Sequence, residues 1–284
     1  MIQQRISSNL RFEQINYLWR IVATGICFTF FGLGGLLLCV TWFPLQKVVY
    51  SGAERQKAAA KKTVHHTFRF FIGMMKFLGI LNLKVEGLDA LKNAKGKIIV
   101  ANHPSLIDIV VLISLVKNAD CVVKAHLFRN PFLRGVIQNT GYISNADPDH
   151  MLDDCKHSLD QGNNLIIFPE GTRTTPGQPI CFKRGAANIA LRSSTPFLPL
   201  LIFCYPKTLT KDDKWYHIPK TGKINFEALV LPEYDWTQGK TDITRSKLSR
   251  QVTRDLESYY VEKLARYGTI EKRNQRIDYP NSGS

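Results

Sequence analysis

The chain has 284 residues, and its 38 Lys and Arg against 23 Asp and Glu leave a balance of +15. The length suits one large folded domain with an anchor. The basic residues are spread without any nucleic-acid-binding module, so the composition sets nucleic acid aside and favours an anionic membrane surface. Six cysteines without paired spacing argue against zinc or a disulfide framework and for free thiols in a reducing compartment.

Residues 21–40 carry no charge, and the apolar character continues to Leu45. A helix over 21–45 is long enough to span a hydrocarbon core of about 30 Å. The apolar part of a signal peptide is shorter, about 7–15 residues. Trp42, Phe43 and Pro44 also make a poor cleavage site, so a retained anchor is expected. Gly32, Gly34 and Gly35 suggest a bend or close helix packing. Lys47, Arg55, Lys57, Lys61 and Lys62 follow, and the positive-inside rule then places the rest of the chain in the cytoplasm. Residues 63–80 are amphipathic and aromatic-rich but too charged to span. They predict an interfacial helix on the headgroups, with a core helix as the competing reading. The His65–His66 pair does not suggest a metal site, because adjacent side chains on a helix do not face one ligand position.

From residue 83 strand and helix patterns alternate. Strands are expected at 83–86, 97–101, 121–124, 141–144, 165–168, 197–203 and 223–230. Helices are expected at 105–117, 131–138, 148–161 and 184–192. This alternation predicts an α/β fold with a largely parallel sheet flanked by helices. Segment 207–222 is polar and expected to be exposed. A last helix over 243–267 carries Leu248, Val252, Leu256, Tyr259 and Leu264 on one side, and a charged tail follows over 269–284.

Two strands end in polar corners. The first runs into Asn102-His103-Pro104-Ser105-Leu106-Ile107-Asp108. Residues five apart on a regular helix point roughly 140° away from each other. His103 and Asp108 therefore meet only if His103 precedes the helix that Pro104 starts, with Asp108 in its second turn. An Asp on one imidazole nitrogen fixes the tautomer and frees the other nitrogen as a base. A helix start with a solvated Asp is the plainer alternative. The second strand ends in Phe168-Pro169-Glu170-Gly171-Thr172-Arg173. Gly171 permits close backbone approach to a ligand, and Arg173 suits forked phosphate recognition.

These two blocks resemble the glycerolipid acyltransferase family, which contains the 1-acylglycerol-3-phosphate O-acyltransferases. Lys124-Ala125-His126-Leu127 with Pro131 and Gly135 resembles the family's second block. Phe182-Lys183-Arg184-Gly185-Ala186 and Pro196-Phe197-Leu198-Pro199-Leu200 resemble its later ones. The resemblance implies residues 1–82 as a membrane anchor, 83–268 as the acyltransferase domain and 269–284 as a tail. It implies His103 and Asp108 as the catalytic pair, and Asn102, Lys124, Glu170, Gly171, Thr172, Arg173 and Lys183 as substrate-binding residues. No metal or cofactor is expected beyond acyl-CoA or acyl-ACP as co-substrate. Two features depart from the family pattern. His126 stands where the second block usually carries Glu, and Gly141–Asp147 lacks the basic residue common in users of lysophosphatidate. The expected activity is acyl transfer to a lysophospholipid hydroxyl, by default on 1-acylglycerol-3-phosphate. An ornithine or polyene lipid acceptor, or thioester hydrolysis, stands as the alternative. No Gly-x-Ser-x-Gly elbow is present to form an acyl-enzyme.

Overall fold

The structure is a computed structural model that describes residues 2–175, 177–211, 213–214, 218–219, 222–237 and 244–278. Seven strands form one sheet: β1 (Leu81–Glu86), β2 (Ile98–Ala101), β3 (Ala119–Val123), β4 (Ile143–Ser144), β5 (Asn164–Ile167), β6 (Phe197–Tyr205) and β7 (Ile224–Val230). Their order is β1-β7-β6-β2-β5-β3-β4, and only the β6–β7 pairing is antiparallel. Every strand expected from the sequence is present, shifted at its ends by at most two residues. The central strands β2 and β5 are buried along their whole length. Such strands read as unbroken apolar runs because helices cover both faces of the sheet.

Helices α5 (Asp108–Leu115) and α6 (Pro131–Thr140) cover one face. There Ile99, Ala101, Cys121 and Ile166 enter the core. Helices α7 (Pro148–Asp160), α8 (Gly185–Ser193) and α9 (Arg245–Asp278) cover the other face, over Ile98, Val100, Leu165 and Ile167. Within α9, the enclosed Tyr260 donates its hydroxyl to Val100 O at 2.6 Å and accepts from Leu200 N at 3.2 Å, fastening β2 to β6 just before the His103 corner. α9 continues to Asp278, past the expected end at 267, and positions 279–284 of the expected tail lie outside the described residues. A short helix, α4 (Leu88–Lys92), was not expected.

The N-terminal region forms an antiparallel helix hairpin. Its first arm is α1 (Ile2–Leu37), continued through a π-helical turn (Leu38–Trp42) into α2 (Phe43–Val49). The irregularity falls at this turn, past the three glycines where a bend was expected. Close packing occurs there too: a Cβ on Gly135 of α6 would lie 2.4 Å from Cys39 Sγ. The second arm is α3 (Ala53–Phe77). Phe31 packs on Phe68 and Phe71, Trp42 Nε1 donates to Thr63 Oγ1 at 3.1 Å, and Trp19 Nε1 donates to Leu78 O at 3.0 Å.

Residues 63–80, expected as an interfacial helix, hold the second half of α3 and the turn after it. The apolar face of this helix packs on the protein core. Val64, Phe71, Ile72 and Met75 are buried, and the buried His65 donates Nδ1–H to Ile113 O in α5 at 2.7 Å. Lys61 forms a buried ion pair with Asp120 of β3 at 2.7 Å, and Ser158 of α7 donates to the same carboxylate oxygen at 2.5 Å. Removing one partner of such a pair costs about 3–5 kcal/mol, because the other charge is left buried. The amphipathic pattern is legible in the sequence, but protein and lipid satisfy an apolar face equally well. Phe70 and Phe77 remain on the outer side of α3.

Candidate active site

The site lies at the C-terminal ends of β2 and β5, the edge where open α/β sheets bind ligands. After Ala101 the chain leaves the sheet, and α5 starts only at Asp108, three residues later than expected. Asp108 thus stands in the first turn of α5 rather than the second. From there its carboxylate reaches back. Its Oδ2 accepts from His103 Nδ1 at 2.7 Å and from Ser105 N at 2.8 Å, and its Oδ1 accepts from Ser105 Oγ. Ser105, three residues ahead of Asp108 and outside the helix, offers the carboxylate both its backbone N–H and its hydroxyl. Ser105 is the functional residue that the sequence reading missed, and this spacing was its signal.

Asp108 is completely enclosed. Burial pushes its carboxyl above the usual range, while the bonds from His103 and Ser105 act in the opposite sense. The imidazole stacks on Phe168, with ring centroids 4.0 Å apart and planes 18° from parallel. Nδ1 is held by Asp108 and one ring face by Phe168, which leaves Nε2 for the reaction.

The Pro169–Arg173 turn braces this corner. Glu170 is buried, and its Oε1 accepts from His103 N at 3.0 Å and from Thr174 Oγ1 at 2.8 Å. Thr174 N donates to His103 O at 2.7 Å, so the two loops are joined on both sides of the histidine backbone. Burial pushes the Glu170 carboxyl up, against the pull of those hydrogen bonds. Gly171 has φ +66°, and a Cβ there would meet the Lys183 side chain at 3.1 Å. Lys183 and Lys124 are both exposed at this edge, and Thr172 is half-buried within the turn.

Two of the residues expected to bind substrate make hydrogen bonds within the protein. Asn102 gives both ends of its amide to the backbone of Ile202, donating to its O and accepting from its N, each at 2.8 Å. It extends the β2–β6 ladder one step beyond the last paired residues, Ala101 and Leu200. Arg173 Nη1 donates to Leu209 O at 2.9 Å and to Thr210 O at 2.6 Å. Within segment 207–222, Lys207, Lys211 and Lys214 are exposed as the polar sequence suggested, but the Thr208–Thr210 turn between them is not. Thr208 and Thr210 are buried, because Asp213 Oδ2 accepts from Thr210 N and Oγ1 and so satisfies a polar turn away from water.

Beside His103 opens a cavity of about 450 Å³, between α1, α3, α5 and α6. Phe31, Phe71, Val110, Ile113, Val136 and Ile137 are among its apolar walls, and Leu106, Thr208 and Leu209 line it together with His103. Among the described residues, no cluster of His, Cys, Asp or Glu could hold a metal ion.

Residues 82–203 match the model of the family described as Acyltransferase. A putative 1-acyl-sn-glycerol-3-phosphate acyltransferase of Caenorhabditis elegans is 28% identical over 191 residues, 65% of this chain and 63% of that protein. A 1-acyl-sn-glycerol-3-phosphate acyltransferase of Helicobacter pylori is 32% identical over 133 residues, 44% of this chain and 56% of that protein. The chain thus spans less than two thirds of the length of either relative. The crystal structure of the 1-acyl-sn-glycerophosphate acyltransferase PlsC from Thermotoga maritima aligns with a TM-score of 0.60 at 19% identity, over 87% of this chain and 97% of that one. That likeness is one of fold. The match to the acyltransferase family thus covers both the His103–Asp108 corner and the Pro169–Arg173 turn.

Proposed function

We propose that the protein is a membrane-anchored O-acyltransferase that moves an acyl chain from acyl-CoA or acyl-ACP to the hydroxyl of a lysophospholipid. The default acceptor is 1-acylglycerol-3-phosphate, and the product is then phosphatidate. The observation that carries the reading is the position of His103, oriented by a buried Asp108 and facing an apolar cavity. A base alone would serve many reactions. A base lining an apolar cavity suits a substrate whose reacting carbonyl ends a hydrocarbon chain.

In the reaction, His103 Nε2 takes the proton of the acceptor hydroxyl while Asp108 stabilises the imidazolium. The hydroxyl oxygen bonds to the thioester carbonyl carbon. Collapse of the tetrahedral intermediate breaks the carbon–sulfur bond, and Nε2 returns its proton to the departing thiolate. Lys183, Lys124 and the Gly171 backbone supply the cationic edge for the acceptor's phosphate, by charge-assisted hydrogen bonds. Thr172 completes that edge, while Glu170 holds the His103 backbone in place behind it.

Among the described residues, one helix, Glu13–Val49, is long and apolar enough to cross a membrane by length and composition. Leu33, Leu37, Val40 and Val48 stand exposed along it. Such an apolar surface fits an anchor in lipid. The lysines that follow it support a catalytic part on the cytoplasmic side, against anionic headgroups.

The test is thiol release from acyl-CoA by the purified protein, with and without lysophosphatidate. Release should require the acceptor, and His103→Ala should lower it by about 10²–10⁴ with the fold intact. Equal release without an acceptor would mark a thioester hydrolase, and near-normal turnover by the variant would exclude His103 as the base.

A further inference from the structure

Phe132 stands in the first turn of α6 with 58% of its surface exposed. A single exposed apolar side chain is common and means little by itself. This one has particular neighbours. A Cβ on Gly35 would lie 3.7 Å from Phe132 O, and one on Gly135 would meet Cys39, so the start of α6 lies against residues 35–39 of the N-terminal arm. Phe132 and Gly135 are three apart and share the helix face that makes this contact. Leu33, Leu36 and Leu37 of the same stretch of α1 are exposed. Gly35 itself lies within the charge-free run 21–40, ten residues before the apolar character ends at Leu45. On either side of Phe132 stand two exposed cations, Arg129 and Arg134.

We infer that the start of α6 is a second membrane-contact element: Phe132 enters the lipid beside α1, and Arg129 and Arg134 hold anionic headgroups. The inference rests on the reading of α1 as a lipid anchor. Two helices in contact lie only about 8–10 Å apart. An exposed side chain set beside residue 35 therefore meets the lipid that α1 meets, at any tilt of that helix. Phenylalanine gains free energy by leaving water. The arginine stems lie along apolar surface while their guanidinium groups stay at the phosphates. On its other side α6 lines the cavity through Leu133, Val136 and Ile137. The helix is thus the partition between lipid and the chamber that His103 lines. Contact at Phe132 brings that chamber to the headgroups, where the hydroxyl of a lysophospholipid lies.

The test uses the full chain in vesicles of phosphatidylcholine and phosphatidylglycerol, with a trace of phosphatidylcholine carrying a photoreactive acyl chain. After illumination and trypsin, mass spectrometry locates the labelled peptides. Label is expected on peptides 130–134 and 21–47, and none on 255–263 of α9, which covers the opposite face of the sheet. Phe132→Asp should remove the label from 130–134 and leave that on 21–47. It should also lower kcat/KM for a lysophospholipid carried in the vesicles about tenfold, with transfer to the same acceptor in detergent micelles near that of the wild type. Arg129→Gln combined with Arg134→Gln should lose most of the advantage that phosphatidylglycerol vesicles give the wild type over pure phosphatidylcholine.

Label on 21–47 with none on 130–134 would overturn the inference and leave the anchor reading standing. Label on neither peptide would overturn both. Label retained on 130–134 in Phe132→Asp would also count against it, as would a double arginine variant that keeps the full advantage of phosphatidylglycerol. A wild type that transfers no acyl group to any acceptor would sink the enzymatic reading instead, and the labelling would then decide alone whether α6 touches the membrane.

Discussion

Asp108 is enclosed and accepts hydrogen bonds from His103 Nδ1, Ser105 N and Ser105 Oγ, whereas Lys124 and Lys183, on the same edge of the sheet, are exposed. In the reaction proposed above, the difference follows from what each region has to do. Proton transfer needs one nitrogen at one place, and a small misplacement is costly in rate. Such a group is best held by short side chains whose partners are buried with it. An acceptor's phosphate is recognised through charge at the end of flexible stems, which solvent can reach and salt can screen. Glu170 belongs to the first region although it lies in the sequence block of the second. Its carboxylate holds the His103 backbone.

The comparison can be broken hardest at Asp108. Asp108→Asn should lower kcat by about 10²–10⁴, close to the loss of the base itself, because an amide favours the wrong tautomer of His103. Acceptor KM should change little. Thiol-release kinetics with saturating lysophosphatidate would show this, and a melting curve would confirm the fold. A rise in acceptor KM with kcat unchanged would place Asp108 with the acceptor instead.

A smaller effect is expected on the cationic edge. Lys183→Met keeps the aliphatic stem over Gly171 and removes the charge. It should raise the KM for lysophosphatidate about tenfold, as for one weak charge-assisted contact, with kcat nearly unchanged. The difference from the wild type should shrink as salt is added. The same rise with an acceptor lacking a phosphomonoester would show that Lys183 does not read the phosphate.

The smallest effect is one of stability. Burial holds the Glu170 carboxyl above its ordinary range. A group raised in this way contributes its stability below its unfolded pKa, about 4.3, and loses it as pH climbs through the folded value. Ionised Glu170 therefore weakens the fold at neutral pH. Gln keeps the oxygen that accepts from His103 N and Thr174 Oγ1. Glu170→Gln should melt a few degrees higher than the wild type at about pH 8, each kcal/mol being worth roughly 2–4 °C in a domain of this size. The gap should close as pH falls toward about 4. A lower melting point at pH 8 would mean that the charge itself helps to hold the loops together.

Much of the site was legible because its parts are local. Runs such as Lys97–Val100 and Asn164–Ile167 announce buried strands by their own composition, and a polar corner after each marks the edge of the sheet where ligands bind. The His103-to-Asp108 spacing and the Ser105-x-x-Asp108 spacing are both contained within a single strand-to-helix connection. The sequence alone was enough to identify the α/β class, the seven strands, the long apolar N-terminal helix and the pairing of His103 with Asp108. Periods of 2 and 3.6 residues set those elements before any long-range contact forms.

Partners distant in sequence are a different matter, and only the tertiary structure decided them. Asn102 finds Ile202, Arg173 finds Leu209 and Thr210, and the apolar face of α3 finds α5. In each case the side chain's chemistry allowed several partners: an amide suits a ligand or a backbone, a guanidinium suits phosphate or carbonyls, and an apolar face suits lipid or protein. Which partner wins depends on where the sheet order β6-β2-β5 brings other parts of the chain. That order is fixed by the packing of the whole domain, and no local stretch of sequence contains it.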